Sequence, residues 1–219
     1  MLTQCQNKLL QVIIMPKGSP ELTNARKEEI INACKTLYRD MSFKEITIKQ
    51  IAEYTSFSRA SIYNYFETKE EIFLAILQEE YELWVADLQD ITDSNDSMTK
   101  EDIAKALASS LEKRELLLKL MSMNHYDMED NSREERLVEF KVAYGASLKA
   151  VDQMLEKFCP EMSGEERQKF LYSFFPFVYG IYPYMVVTDK QRKAMELAKV
   201  GYSFYSIYDI AYNCAVKLL

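Results

Sequence analysis

Turn-formers are scarce in this sequence, with five glycines and five prolines among 219 residues. That excludes a fold of many short strands joined by tight turns. No stretch alternates apolar and polar residues as a series of half-buried strands must, so the fold class is all-α. Histidine occurs once, at position 125, and the four cysteines at 5, 34, 159 and 214 lie far apart. No zinc or iron–sulfur spacing exists, and no metal site is assigned. Cys34 and Cys214 fall in apolar helical patterns as core thiols, which places the chain in a reducing cytoplasm. No nucleophile–base pair and no phosphate-cradling glycine loop is present, so no catalytic residue and no cofactor is assigned.

A secretory leader is not evident either. Residues 8–15 are apolar but short, and Pro16-Lys17-Gly18-Ser19-Pro20 follows where a small-residue cleavage site would stand. Residues 1–23 read as a flexible arm, of a kind that can enter a minor groove. Met15 offers an alternative start. One uncharged run, 170–188, has the length of a membrane span. Its four tyrosines, two prolines and one glycine suit a buried helix instead, bent or broken at Pro176 and Pro183. No membrane partner is expected.

What the chain has is apolar mass and an uneven charge. Hydrophobic residues make up 48%, enough for a sizeable core, and the formal net charge is −7. Residues 1–70 carry ten Lys/Arg against eight Asp/Glu, net +2. Residues 71–219 carry 17 against 26, net −9. The acid therefore lies away from the N-terminal part.

That part holds the most informative stretch, 46–71. Thr47 caps a short helix with Ile48, Ile51 and Ala52 on one face. Thr55-Ser56-Phe57 interrupts it. Ser58 then caps a second helix, Arg59 to about Phe66, with Ile62 and Phe66 turned inward. Arg59, Ala60, Ser61, Tyr63 and Asn64 remain on the outer face, the arrangement of a helix that reads base edges while another braces it. Arg59 can meet guanine O6 and N7 in bidentate fashion, Asn64 can read adenine, Ser61 can donate or accept, and Ala60 can meet a thymine methyl. Tyr63, Tyr65 and Lys69 suit phosphates. Ser58 itself, with Thr47 and Lys49 at the bracing helix, completes the DNA-contacting set. An ordinary polar surface helix is the competing reading for so short a segment.

The residues 51–73, IAEYTSFSRASIYNYFETKEEIF, resemble the DNA-binding signature of the tetracycline-repressor family. The likeness extends back through a first helix from about Asn24 to Met41, with Ile30, Ala33, Leu37 and Tyr38 at apolar positions, and covers roughly residues 24–75. The family usually places glycine at the ends of its first two helices. Here Ser42 and Ser56 stand there, and a positive φ would strain either one. The resemblance implies a helix-turn-helix head at 24–70 and a helical ligand-binding and dimerising domain at 71–219. It implies a homodimer bound to double-stranded operator DNA, usually a repressor, released by a small-molecule effector.

In the second part, Thr68 caps a long helix through Leu88, and Thr99 with Asp102 opens another. A short buried helix covers Leu116–Met123, a loop covers 125–131, and Ser132 with Glu135 opens a helix ending before Cys159-Pro160. Ser163 with Glu166 opens the next, and a last helix begins near Ser203. Trp84, Met121, His125, Tyr144, Phe174, Phe177 and Tyr184 are candidates for lining a pocket that favours a flat or bulky apolar molecule. Aromatic residues at helical spacing equally serve as plain core. Phe170, Phe174 and Phe177, with the seam Phe204, Tyr208, Ala211, Ala215 and Leu218, are candidates for the dimer interface, and Ile207, Ile210 and Cys214 then face their own subunit. A helical interaction module without DNA binding, or an enzyme, are the alternatives; a screen for operator binding separates them.

Overall fold

The computed structural model describes residues 19–123 and 125–219, without the side chains of His125 and Asp127. Eleven helices and no strand occur among the described residues: α1 (Pro20–Asp40), α2 (Ile48–Glu53), α3 (Arg59–Ile62), α4 (Lys69–Asp93), α5 (Lys100–Glu112), α6 (Glu115–Met121), α7 (His125–Asp130), α8 (Glu134–Phe158), α9 (Gly164–Met185), α10 (Asp189–Leu197) and α11 (Ile207–Leu218). They form two compact units, one ending at Tyr65 and one spanning Phe66–Leu219.

In the first unit α1 begins four residues earlier than the expected arm boundary allows. Ser19 accepts the Leu22 amide and Pro20 sits at the first helical position, where its missing N–H costs nothing. The remainder of the expected arm, residues 1–18, lies outside the described residues. Ile30, Ile31, Ala33, Cys34, Leu37 and Tyr38 of α1 bury one stripe, and Ile46, Ile51 and Ile62 are also buried. α2 opens on a reciprocal cap: Thr47 Oγ1 accepts the Gln50 amide at 3.3 Å and Gln50 Oε1 accepts the Thr47 amide at 3.0 Å. Neither serine that replaces a family glycine is strained, since the one described non-glycine residue with positive φ is Lys199. Ser42 gives its amide and hydroxyl to Glu45 at 2.8 and 2.7 Å, and those bonds hold the Glu45 carboxyl below its ordinary range. Ser56 gives its amide and hydroxyl to Glu29 of α1.

In the second unit α4 packs along α8, and α9 packs on α6, α8 and α11. Tyr81, Trp84, Phe140, Phe174 and Phe175 fill the space between α4, α8 and α9. Expected caps are present at Thr68, Thr99 and Ser163, the last two as reciprocal pairs with Asp102 and Glu166. Four expectations need correction. Ser132 does not cap α8: its hydroxyl donates to Met128 O at 2.7 Å, because residues 125–130 form the helix α7 and not a loop. Neither Pro176 nor Pro183, both exposed, breaks α9, which continues as one helix from Gly164 to Met185. The last helix starts at Ile207, capped by Ser206 and Asp209. A helix absent from the expectation, α10, fills part of the 186–206 connection. No single described helix is long and apolar enough to cross a membrane; α9 and α10 reach that level only jointly, across an 83° bend.

Candidate nucleic-acid interface and effector cavities

The reading element is shorter than eight residues. α3 proper is one turn, Arg59–Ile62, after which Asn64 and Tyr65 donate to Ser61 and Ile62 at 3.2 and 2.9 Å. These bonds reach back three residues instead of four, the tighter winding common at helix ends. Ser58 occupies the N-cap position with extended backbone but caps no amide; its hydroxyl pairs with that of Ser61 at 3.1 Å. Phe66 is buried, yet it belongs to the second unit, where the Arg136 guanidinium lies 5.4 Å above its ring.

The short winding still gathers a polar outer face. Ser58, Arg59, Ala60, Tyr63 and Asn64 are exposed and Ser61 is half-buried. Arg59 is not a loose side chain. Its Nη2 donates to the Tyr63 hydroxyl at 3.0 Å and its guanidinium lies 5.7 Å over the Tyr63 ring. The spacing is i to i+4, so one turn aligns them. Thr47 and Lys49 are exposed on α2, the Thr47 hydroxyl being engaged in the cap. Tyr65 is half-buried and accepts a hydrogen bond from Arg26 of α1 at 3.2 Å, while Arg26 also lies 5.8 Å over the Phe57 ring. Arg26 and Glu29 thus tie α1 to both sides of α3. Their i, i+3 spacing was visible, but nothing in the chain named their partners. Lys69 opens α4 in the second unit, half-buried.

The start of α4 carries a buried charge. Glu71 is 0% exposed and its carboxylate accepts four hydrogen bonds: from the Glu67 amide at 2.8 Å, the Arg133 amide at 3.1 Å, and Arg133 Nε and Nη2 at 2.7 and 2.8 Å. Burial pushes this carboxyl up, but the bonds and the charge of Arg133 prevail and hold it below its ordinary value of 4.5. Thr68 Oγ1 donates to Asn131 O at 2.8 Å beside it. The first turn of α4 is thereby fastened to the α7–α8 corner.

The residues proposed to line one pocket are dispersed. Trp84, Met121 and Phe174 are fully buried core. The His125 side chain lies outside the described residues. Tyr144 borders a cleft of about 710 Å³ between α8 and α9, with Gly145, Leu148, Lys149, Phe175 and Tyr179. At its inner side the Tyr179 and Tyr81 hydroxyls are 3.1 Å apart. Burial pushes Tyr81 well above its usual value, with Tyr179 and Tyr144 adding to it. Phe177 and Tyr184 border a different cleft, of about 630 Å³, with Pro176, Gly180, Tyr205 and Ile210. By the 3.6-residue period, positions 168, 172, 175 and 179 face one side of α9 while 177, 180 and 184 face the other.

The interface set also divides. Phe170 and Phe174 are buried within their own subunit, their rings stacked at 5.3 Å. Ala211 and Ala215 are 0% exposed, and α11 packs closely on α5, so the small residues admit a helix of the same chain. Ile207 is buried, but Ile210 and Cys214 line an outward trough with Phe177, Tyr205 and Leu218, contrary to their assignment as inward-facing. Phe177 and Phe204 are exposed, and Tyr208 and Leu218 half-buried.

Residues 30–76 match the family model described as bacterial regulatory proteins, tetR family, and residues 78–207 match the tetracyclin repressor-like C-terminal domain. The curated relative YfiR of Bacillus subtilis, an uncharacterized HTH-type transcriptional regulator, is 36% identical over 63 residues, 29% of this chain and 31% of that protein. The chain thus spans under a third of the length of the curated relatives it matches. Among solved structures, the fatty acid degradation regulator FadR from Bacillus halodurans superposes with a TM-score of 0.57 at 15% identity, covering 89% of this chain and 94% of that one. FadR from B. subtilis, solved in complex with stearoyl-CoA, gives 0.56 at 15% identity over 87% and 96%. At such identities the likeness is one of fold.

Proposed function

This chain belongs to the tetracycline-repressor family of DNA-binding transcriptional regulators, and from that premise we propose that it is a cytoplasmic homodimeric repressor, released from its operator by an apolar small molecule. The observation that carries the DNA role is the outer face of α3, where Arg59 is braced on Tyr63. A guanidinium already held in one orientation loses little rotamer freedom on meeting a guanine edge. Ala60, Ser61 and Asn64 share the face. Thr47, Lys49 and Lys69 supply backbone contacts that position the head. A net charge of +2 over residues 1–70 gives little long-range pull, so two heads must engage together on a near-palindromic operator.

The dimer face in this reading is the outward trough of α9 and α11, bordered by Phe177, Gly180, Ile210 and Leu218. A β-carbon added at Gly180 would meet nothing within 4 Å, so the fold of the single chain does not require glycine there. In mid-helix that glycine costs about 1 kcal/mol relative to alanine, and a close-packed partner helix gives it a purpose. The effector site is the α8–α9 cleft, whose volume lies in the ordinary range for small-molecule sites. The Tyr144, Tyr172 and Phe175 rings favour a flat or bulky apolar molecule there, with Lys149, Asp152 and Gln168 at the cleft border.

Operator selection with the purified protein tests the reading. Arg59→Ala should cost about 1–3 kcal/mol on the selected operator and relax preference at one base pair per half-site. Lys69→Ala should weaken selected and random DNA alike, reducing the salt slope by about one for each phosphate no longer neutralised. A protein that enriches no sequence sinks the proposal. Uniform weakening by Arg59→Ala reverses the assigned roles.

A further inference from the structure

We infer that the segment joining α9 to α11, with α10 at its centre, is an arm that docks on a second copy of this chain. The inference rests on the dimeric reading above and goes beyond it.

α10 is a carefully terminated helix without a core. At its start Thr188 and Gln191 form a reciprocal cap, with both bonds at 3.2 Å. At its end Lys199 turns to φ 56, its amide bonds Glu196 O at 3.1 Å, and the Val200 amide bonds Met195 O at 2.9 Å. Those two bonds close a Schellman motif, here with lysine where glycine would be relaxed. Nevertheless no residue of α10 is buried. Leu197 is 77% exposed and Val200 52%, and Ala194 and Ala198 continue the same strip. A nine-residue helix is marginal in water unless one face packs against something. Among the described residues, Met195 is half-buried and Arg192 lies 5.0 Å over the Phe204 ring, while the Ala194–Leu197–Ala198 strip stays open.

Charge and continuity identify the occupant. Residues 189–199 hold Lys190, Arg192, Lys193 and Lys199 against Asp189 and Glu196, net +2, whereas the rest of residues 71–219 carries 13 Lys/Arg against 24 Asp/Glu, net −11. A basic, apolar-striped helix suits the acidic helical domain of another copy. The arm also leaves α9 and enters α11, the two helices whose outward faces form the trough. After α10, Phe204 and Tyr205 remain 52% and 56% exposed, so the apolar surface runs on from the arm to the trough border.

Sedimentation velocity and hydrogen exchange on the full chain test this together. Wild type should be a dimer in which the amides of residues 192–200 exchange slowly, and they should exchange fast once dilution gives monomer. Leu197→Glu, at an exposed site that leaves the monomer fold intact, should raise the dimer dissociation constant about ten- to hundred-fold, the equivalent of one buried leucine. Lys190→Gln/Arg192→Gln/Lys193→Gln should weaken the dimer and flatten its dependence on salt. A wild-type monomer would sink the dimeric reading itself. A dimer with α10 amides as fast as in the monomer, or an unchanged constant for Leu197→Glu, would overturn the arm alone.

Discussion

Replacing Arg133 with methionine removes the guanidinium from Glu71 while keeping a side chain of similar length. Two charge-assisted bonds disappear, at 2.7 and 2.8 Å, while the Glu67 and Arg133 amides still donate to a fully buried carboxylate. Stripping one partner from a buried ion pair costs about 3–5 kcal/mol. The Arg133 side chain is 39% exposed, so water screens part of the interaction and two donors survive. The expected loss is therefore about 2–3 kcal/mol at pH 7, measured by urea unfolding followed through tryptophan fluorescence. Glu71→Leu/Arg133→Met should regain at least half of it, since no uncompensated charge is then left inside. Acid supplies an independent check. The Glu71 carboxyl sits below 4.5 in the folded protein, so its stabilisation is fully present above that pH and fades as pH falls through the folded value. The gap between wild type and Arg133→Met should accordingly narrow below pH 4.5. A gap under about 0.5 kcal/mol, or one that ignores pH, would refute the account of Glu71 as a charged, satisfied group.

Ser110→Ala should cost about 1–3 kcal/mol by leaving the Trp84 indole N–H, now 3.0 Å from Ser110 Oγ, without a partner in the core; thermal unfolding reads the loss. Ala211→Glu should destabilise the isolated subunit itself, because the residue is 0% exposed on a helix that packs on α5 and α9 of the same chain, and far-ultraviolet circular dichroism at dilutions that favour monomer would show it. Thr47→Ala should lower stability by about 1 kcal/mol in chemical denaturation and weaken DNA binding, since Thr47 caps α2 and belongs to the proposed DNA-contacting set.

Much of this architecture was legible because local rules decided it. The caps at Thr47, Thr68, Thr99 and Ser163 pair a hydroxyl with a residue three positions on, a relation contained within four residues. The stripe of α1 repeats at helical period and is buried where the period puts it. What failed was non-local. Ala211 and Ala215 announce close approach by another helix, but small size does not say whose helix, and α5 of the same chain took the place. Phe170, Phe174 and Phe177 look equivalent along an all-apolar run, yet successive 100° steps bury the first two and expose the third. α10 had its cap in plain view at Thr188 and Gln191, and was missed because its sequence has no apolar face broad enough to signal a packed helix.

Trp84 is the chain's single tryptophan, and its placement makes the protein its own optical probe. The indole is fully buried, bonded to Ser110, with the Phe175 ring 5.7 Å away. Phe175 also borders the α8–α9 cleft. A molecule entering that cleft must press on a ring that touches the fluorophore, so emission intensity should titrate with occupancy in the unlabelled protein. With the effector site in that cleft, as proposed above, a chemical library can be screened by fluorescence on the wild-type chain.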